Sequence, residues 1–197
     1  MPALQVSVDG KPVTTVDTHG LNVLTVSVGG TKVDEPFASL GVRGGSYPDE
    51  GPSTHLIWVN EIPLKQGQVV SVSLLTSSST SNEGKTIEEL FPDEPPEETE
   101  AARELNEIFN ELREMPRLRD SFAFSFTTSQ GGSYVGSAPS SAHGFSLSVI
   151  WNWLHPERVS ASLHTYTLDD LQERKSLNYL ASEFIPVGQS VHLELVA

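Results

Sequence analysis

One segment of this chain occurs twice, and it limits the possible folds more than any other feature. Ile62-Pro63-Leu64 followed by Gly67-Gln68-Val69-Val70-Ser71-Val72-Ser73-Leu74 matches Ile185-Pro186-Val187 followed by Gly188-Gln189-Ser190-Val191-His192-Leu193-Glu194-Leu195. Each copy reads as a turn and then a strand with one wet face, because apolar residues recur at every second position. Two further matches lie upstream in the same order. Residues 4–8 share their alternation with residues 122–126, and His19-Gly20 before residues 21–28 resembles His143-Gly144 before residues 145–150. The separation from His-Gly to Gly-Gln is 47 residues in one copy and 44 in the other. Alternating strands can converge on a coarse pattern, but three anchors in register favour duplication.

The duplication predicts a mainly β chain of two related, antiparallel, sandwich-like halves, residues 1–76 and 120–197. A connection over residues 77–119 carries most of a minor helical content. Two such halves can pack face to face about a pseudo-two-fold axis, or stand as consecutive small sandwiches bridged by the connection.

Period-two alternation also marks strands at 13–16, 23–28, 145–151, 159–163 and 191–196. Asp9-Gly10, Gly29-Gly30, Gly44-Gly45 and Gly131-Gly132 supply turn chemistry, and Pro48 and Pro52 interrupt ladders. The continuous apolar run 56–59 reads as a strand covered on both faces. The last strand reads as a candidate sheet edge, open to pairing with a neighbour.

The connection begins with the Ser/Thr run 77–81 and then turns acidic. Residues 83–114 hold 12 of the 26 acidic residues against Lys85, Arg103 and Arg113 alone. Thr86-Ile87-Glu88-Glu89 has capping-box spacing and predicts a short helix ending before Pro92. Pro95 and Pro96 open a second helix and Pro116 closes it. Its residues Ala101, Leu105, Ile108, Phe109, Leu112 and Met115 recur at steps of three and four, while Glu100, Glu104, Glu107, Glu111 and Glu114 fall off that stripe. A third helix is predicted over 168–180, with Asp169 and Asp170 in its first turn.

The formal net charge of −14 opposes binding to nucleic acid or an anionic lipid surface and fits a basic partner. The absence of Cys excludes disulfides, thiolate metal sites and a Cys nucleophile. The first residues show neither a basic n-region nor an apolar core, and no window has the length of a membrane helix, so a cytoplasmic protein with no membrane partner is expected.

Catalytic signals are sparse. None of the six His residues pairs with another at metal-ligand spacing, and His19 and His143 read as turn residues at equivalent repeat positions. No Gly-x-Ser-x-Gly elbow is present, and Gly29-Gly30-Thr31-Lys32 does not fit a phosphate loop. His164 beside Asp169 or Asp170 is the one base-and-orienter pair that the sequence offers, with His143 as a further member of an interface site.

No metal, cofactor or catalytic residue is therefore expected. The main expectation is a non-enzymatic binding protein, of the immunity or inhibitor kind, that occludes a basic protein through Glu100, Glu104, Glu107, Glu111 and Glu114. A carbohydrate- or peptide-binding module using Trp151 and Trp153 as a platform is the alternative, and a structural or assembly role through open strand edges is a third. The sequence leaves the oligomeric state open.

Overall fold

The computed structural model describes residues 1–92 and 105–196. The first half forms β1 (Ala3–Val8), β2 (Lys11–Asp17), β3 (Val23–Thr31), β4 (Ala38–Ser46), β5 (Thr54–Leu64) and β6 (Val69–Leu75). The connection contributes α1 (Ile87–Leu90) and α2 (Leu105–Glu114). The second half forms β7 (Ala123–Thr128), β8 (Ser133–Ser137), β9 (Gly144–Asn152), β10 (Arg158–Tyr166), α3 (Leu168–Gln172), β11 (Asn178–Pro186) and β12 (Ser190–Val196).

These strands make two six-stranded antiparallel sheets, ordered β2-β1-β6-β12-β7-β8 and β11-β10-β9-β3-β4-β5. Replacing each strand by its repeat partner turns either order into its own reverse, so each half gives three strands to each sheet. The halves meet edge to edge, through β6 with β12 and β3 with β9. Neither arrangement open at the sequence level, face to face or consecutive, is the one adopted. Alone, the first half would leave β3 and β6 as bare edges and the second half β9 and β12, and joining covers all four.

Reciprocal hydrogen bonds establish the pseudo-two-fold axis. Leu74 N donates to Gln189 O at 3.0 Å and Leu195 N to Gln68 O at 3.1 Å; Lys32 N donates to His143 O at 2.9 Å and Trp153 N to Asn22 O at 3.0 Å. In every case the exchanged residues differ by 121 positions (195 − 74, 189 − 68, 153 − 32, 143 − 22). Over β1 and β2 the offset is 120, since Thr18 N to Pro2 O recurs as Ala138 N to Phe122 O (138 − 18, 122 − 2). The axis crosses one sheet between Ser71 and His192, where Oγ and Nδ1 lie 2.7 Å apart.

This axis corrects two of the upstream sequence anchors. Leu4 corresponds to Phe124, two residues beyond the match made from alternation, an error that a period of two conceals. His143 corresponds to Asn22 and not to His19. Gly20 has φ of +78° in the turn before β3, whereas Gly144 is the first residue of β9. The third anchor holds: Gly67 and Gly188 have φ of +86° and +85°, left-handed values that favour glycine.

Alternate residues of both sheets fill one shared core. Leu4, Val6, Val70, Val72, Phe124, Phe126, Val191 and Leu193 on one sheet meet Leu24, Val26, Val28, Leu40, Val42, Leu147, Val149 and Ala161 on the other, all essentially without solvent exposure. Phe145 packs against Phe122 and Phe124 at ring separations of 4.9 and 4.7 Å, tying the sheets together in the second half.

Four local expectations change. Gly29-Gly30 and Gly44-Gly45, expected to turn, lie inside β3 and β4 with no left-handed φ, and their missing side chains instead allow close approach of neighbouring strands. The run 56–59 lies on the edge strand β5, with Ile57 and Val59 buried and Leu56 and Trp58 half-covered by the segment after β6. The third helix stops at Gln172, because Arg174 turns to φ of +52° and residues from Asn178 onward gain more by pairing with β10. The last strand, β12, is internal, hydrogen-bonded to β6 and β7 on its two sides. The capping box of α1 forms as expected, Thr86 Oγ1 accepting from Glu89 N and the Glu89 carboxylate accepting from Thr86 N. Among the described residues no helix is long and apolar enough to cross a membrane.

Candidate functional site

The acidic face rests on the second half. The side chains of Ile108, Phe109 and Leu112 are half-buried along one stripe of α2, and Glu107, Glu111 and Glu114 are exposed off it. Glu100 and Glu104 lie outside the described residues. Arg113, in the last turn of α2, holds the helix down: its Nη2 donates to Asp169 Oδ1 at 2.7 Å and to Gln172 Oε1 at 2.6 Å on α3. Its Nη1 also reaches Asn110 Oδ1. Beneath this clamp a cleft of about 180 Å³ is lined by Leu112, Met115, Arg117, His143 and Leu168.

The second proposed surface does not form. Trp151 is fully buried and its Nε1 donates to Pro156 O at 3.2 Å, while Trp153 is 58% exposed after the end of β9. The chain turns at Asn152, whose side-chain oxygen accepts from Leu154 N and His155 N, so the strand pattern assumed for the two rings ends between them. They present no common platform.

The base-and-orienter pair is likewise not assembled. Asp169 is bound to Arg113, and the Asp170 carboxylate closes the α3 capping box on the Thr167 amide and hydroxyl. His164 packs against the Tyr179 ring at 5.6 Å with its Nδ1 buried and unpartnered, and burial holds its pKa below the usual histidine value. His143 is also lowered, by burial first, with nearby Asp34 opposing. Among the described residues no three His, Asp or Glu side chains converge as metal ligands.

Two basic residues that the sequence did not single out stand out in the structure. Lys32 is almost completely buried, its Nζ donating to Ser140 O at 2.8 Å, and burial lowers its pKa. After Gly29-Gly30-Thr31 it reads as a turn lysine, but distant segments meet it in the fold, Leu118 N donating to its carbonyl at 2.8 Å and its own amide to His143 O at 2.9 Å. Arg43 stands on the outer face of β4 in a cleft of about 680 Å³ whose floor is Ser27, Gly29, Ser39 and Gly41. A Cβ at Gly41 would come within 3.2 Å of Ser27 Oγ and 3.4 Å of an Arg43 nitrogen, so glycine keeps this floor open. Asp34, Glu61 and Tyr166 form its rim. The cleft offers one cation among carboxylates and hydroxyls, a polar hydrogen-bonding surface with no nucleophile paired to a base.

No protein family, curated protein or solved structure matches this chain.

Proposed function

We propose that the protein is a non-enzymatic binding protein that presents the acidic face of α2 to a basic protein partner and occludes it. The observation that carries this reading is the Arg113 clamp, which fixes a helix of exposed glutamates on a rigid β body. Carboxylates held in place attract a basic surface without the entropy cost of ordering them at encounter, and they raise association rates in proportion to the charge they present. The net charge of −14 acts in the same direction.

The test is capture of basic proteins by the intact chain and by a Glu107→Gln, Glu111→Gln, Glu114→Gln variant, at low and moderate salt. A partner retained by the intact chain at low salt, and lost by the variant with a reduced salt slope, supports the reading. Equal affinity and equal salt dependence for both proteins would defeat it. Arg113→Ala releases the helix from α3 and makes its face one unit more negative, so weaker binding by this variant in spite of the added charge would show that the helix must be fixed.

A further inference from the structure

The pseudo-two-fold axis pairs every edge of the first half with an edge of the second, and the two are treated differently. In the first half the segment after β6 closes the open side of the sandwich. Ser81 N donates to Thr15 O and Ser81 Oγ accepts from Thr15 N, both at 2.9 Å, while Thr80 Oγ1 accepts from Asp17 N at 3.0 Å. Asn82 then bridges the two sheets, its Oδ1 accepting from Thr14 Oγ1 at 2.6 Å and its Nδ2 donating to Trp58 O at 3.2 Å. Lys85 completes the strap by exchanging backbone hydrogen bonds of 2.9 and 2.8 Å with Ile57 on β5. Ser, Thr and Asn suit this task because their side-chain oxygens accept from edge amides that no neighbouring strand satisfies.

The register identifies the matching positions. Thr15 lies opposite Gln5 on β1 as Val135 lies opposite Ser125 on β7, and Ile57 lies opposite Arg43 on β4 as Tyr179 lies opposite His164 on β10. Thr15 and Ile57 are buried under the strap, 7% exposed each; Val135 is 76% exposed and Tyr179 58%. Among the described residues nothing bonds to the outer side of β8 at Val135. Among the described residues, the second half thus carries the receiving edges of the strap without a strap.

We propose that this open side, between Val135 of β8 and Tyr179 of β11, docks an extended Ser/Thr-rich peptide segment of a partner protein, which adds to these edges as residues 80–85 add to β2 and β5. The first half is the internal template, and it defines the ligand: an extended backbone, hydroxyl side chains to receive the β8 amides, and a spacing that spans both sheets. Strand addition of this kind takes its affinity from main-chain hydrogen bonds and its selectivity from alternate side chains. The inference does not depend on the reading of α2.

The probe is a synthetic peptide of this chain's own residues 77–86, titrated into the full-length protein and followed by backbone amide NMR. Saturable shifts centred on Val135 and Tyr179 are expected. Val135→Pro removes the edge amide and is expected to weaken binding about tenfold or more; Tyr179→Lys leaves the ladders intact and tests the same side should the proline variant not fold. Shifts at Thr15 and Ile57 instead, from exchange with the resident strap, would overturn the proposal. So would the absence of any shift at millimolar peptide, or concentration-dependent broadening of β8 without peptide, which would make a second copy the occupant.

Discussion

At matching positions across the axis, the first half has Gly30 and the second has Trp151. A Cβ on Gly30 would stand 2.4 Å from the Phe37 carbonyl oxygen and 3.1 Å from the Phe145 ring, whereas the Trp151 ring fills a fully buried site. The same ladder position is a close backbone contact in one half and a core anchor in the other. The open sides differ in the same way, strapped by residues 80–85 in the first half and, among the described residues, without a strap in the second. Duplication preserved the ladders, which depend on backbone groups common to both copies, and left side chains and edges free to diverge.

The sharpest test of that contrast is in the core. Trp151→Ala empties a buried ring site and is expected to cost about 3–5 kcal/mol in urea unfolding. Gly30→Ala is expected to be destabilising through overpacking, about 1–3 kcal/mol, because the obstacle is the Phe37 backbone carbonyl, which cannot rotate away. Equal tolerance of both substitutions would mean that the halves do not share this asymmetry.

The edges come next. Thr15→Pro removes an amide that Ser81 Oγ satisfies and is expected to cost about 1–3 kcal/mol, while Val135→Pro on the bare edge should cost less. Reversal of that order would show that the β8 edge is not free. Loss of either helix cap, Thr86→Ala or Thr167→Ala, is expected to cost about 1 kcal/mol, with only the second loosening the α2–α3 contact through Asp170 and Asp169.

The smallest effects are those of pH, and they too distinguish the halves. Asp9 and Ser129 hold the starts of β6 and β12 in equivalent ways, Asp9 accepting from Val69 N and Ser129 from Ser190 N, both at 2.9 Å. The Val69 amide, with Gln68 assisting, holds the Asp9 carboxyl below its ordinary value. Its contribution is therefore present above the ordinary aspartate range and lost as pH falls through the lowered folded value, while the Ser129 clasp does not titrate. His164 acts at higher pH. Its folded pKa is lowered by burial, so the unfolded chain takes up the proton first and stability falls as pH drops below the ordinary histidine value. Melting curves of His164→Gln should lose part of that dependence, the remainder coming from half-buried His143; at the position equivalent to His164 the first half has Arg43.

Much of the fold was legible in the sequence. Alternation located most of the strands but not β4, β8 or β11, the capping-box spacing located α1, and Gly67 and Gly188 marked an equivalent left-handed turn in each half. The helix expected over 168–180 stops at Gln172, because pairing of residues 178–186 with β10 outweighs the local helical preference. The Trp platform failed because alternation assigns residues to faces but does not say which face is inside or where the strand ends. Lys32 and Arg43 gave no signal: one is covered by a segment more than 80 residues away, and the other is defined by neighbouring strands.

Taken alone, the sequence determined the duplicated β units, the turns at Asp9-Gly10 and Gly131-Gly132, the acidic composition of the connection and the exclusion of cysteine chemistry, because each follows from local periodicity, backbone preference or composition. Only the tertiary structure decided that the halves share one core across continuous sheets, that Trp151 is buried and Trp153 exposed, and that residues 80–85 strap the open side of the first half. Strand pairing joins residues more than a hundred positions apart, and hydrogen-bonding capacity at an edge is the same in every sequence, so which edges meet is settled only when the whole chain packs.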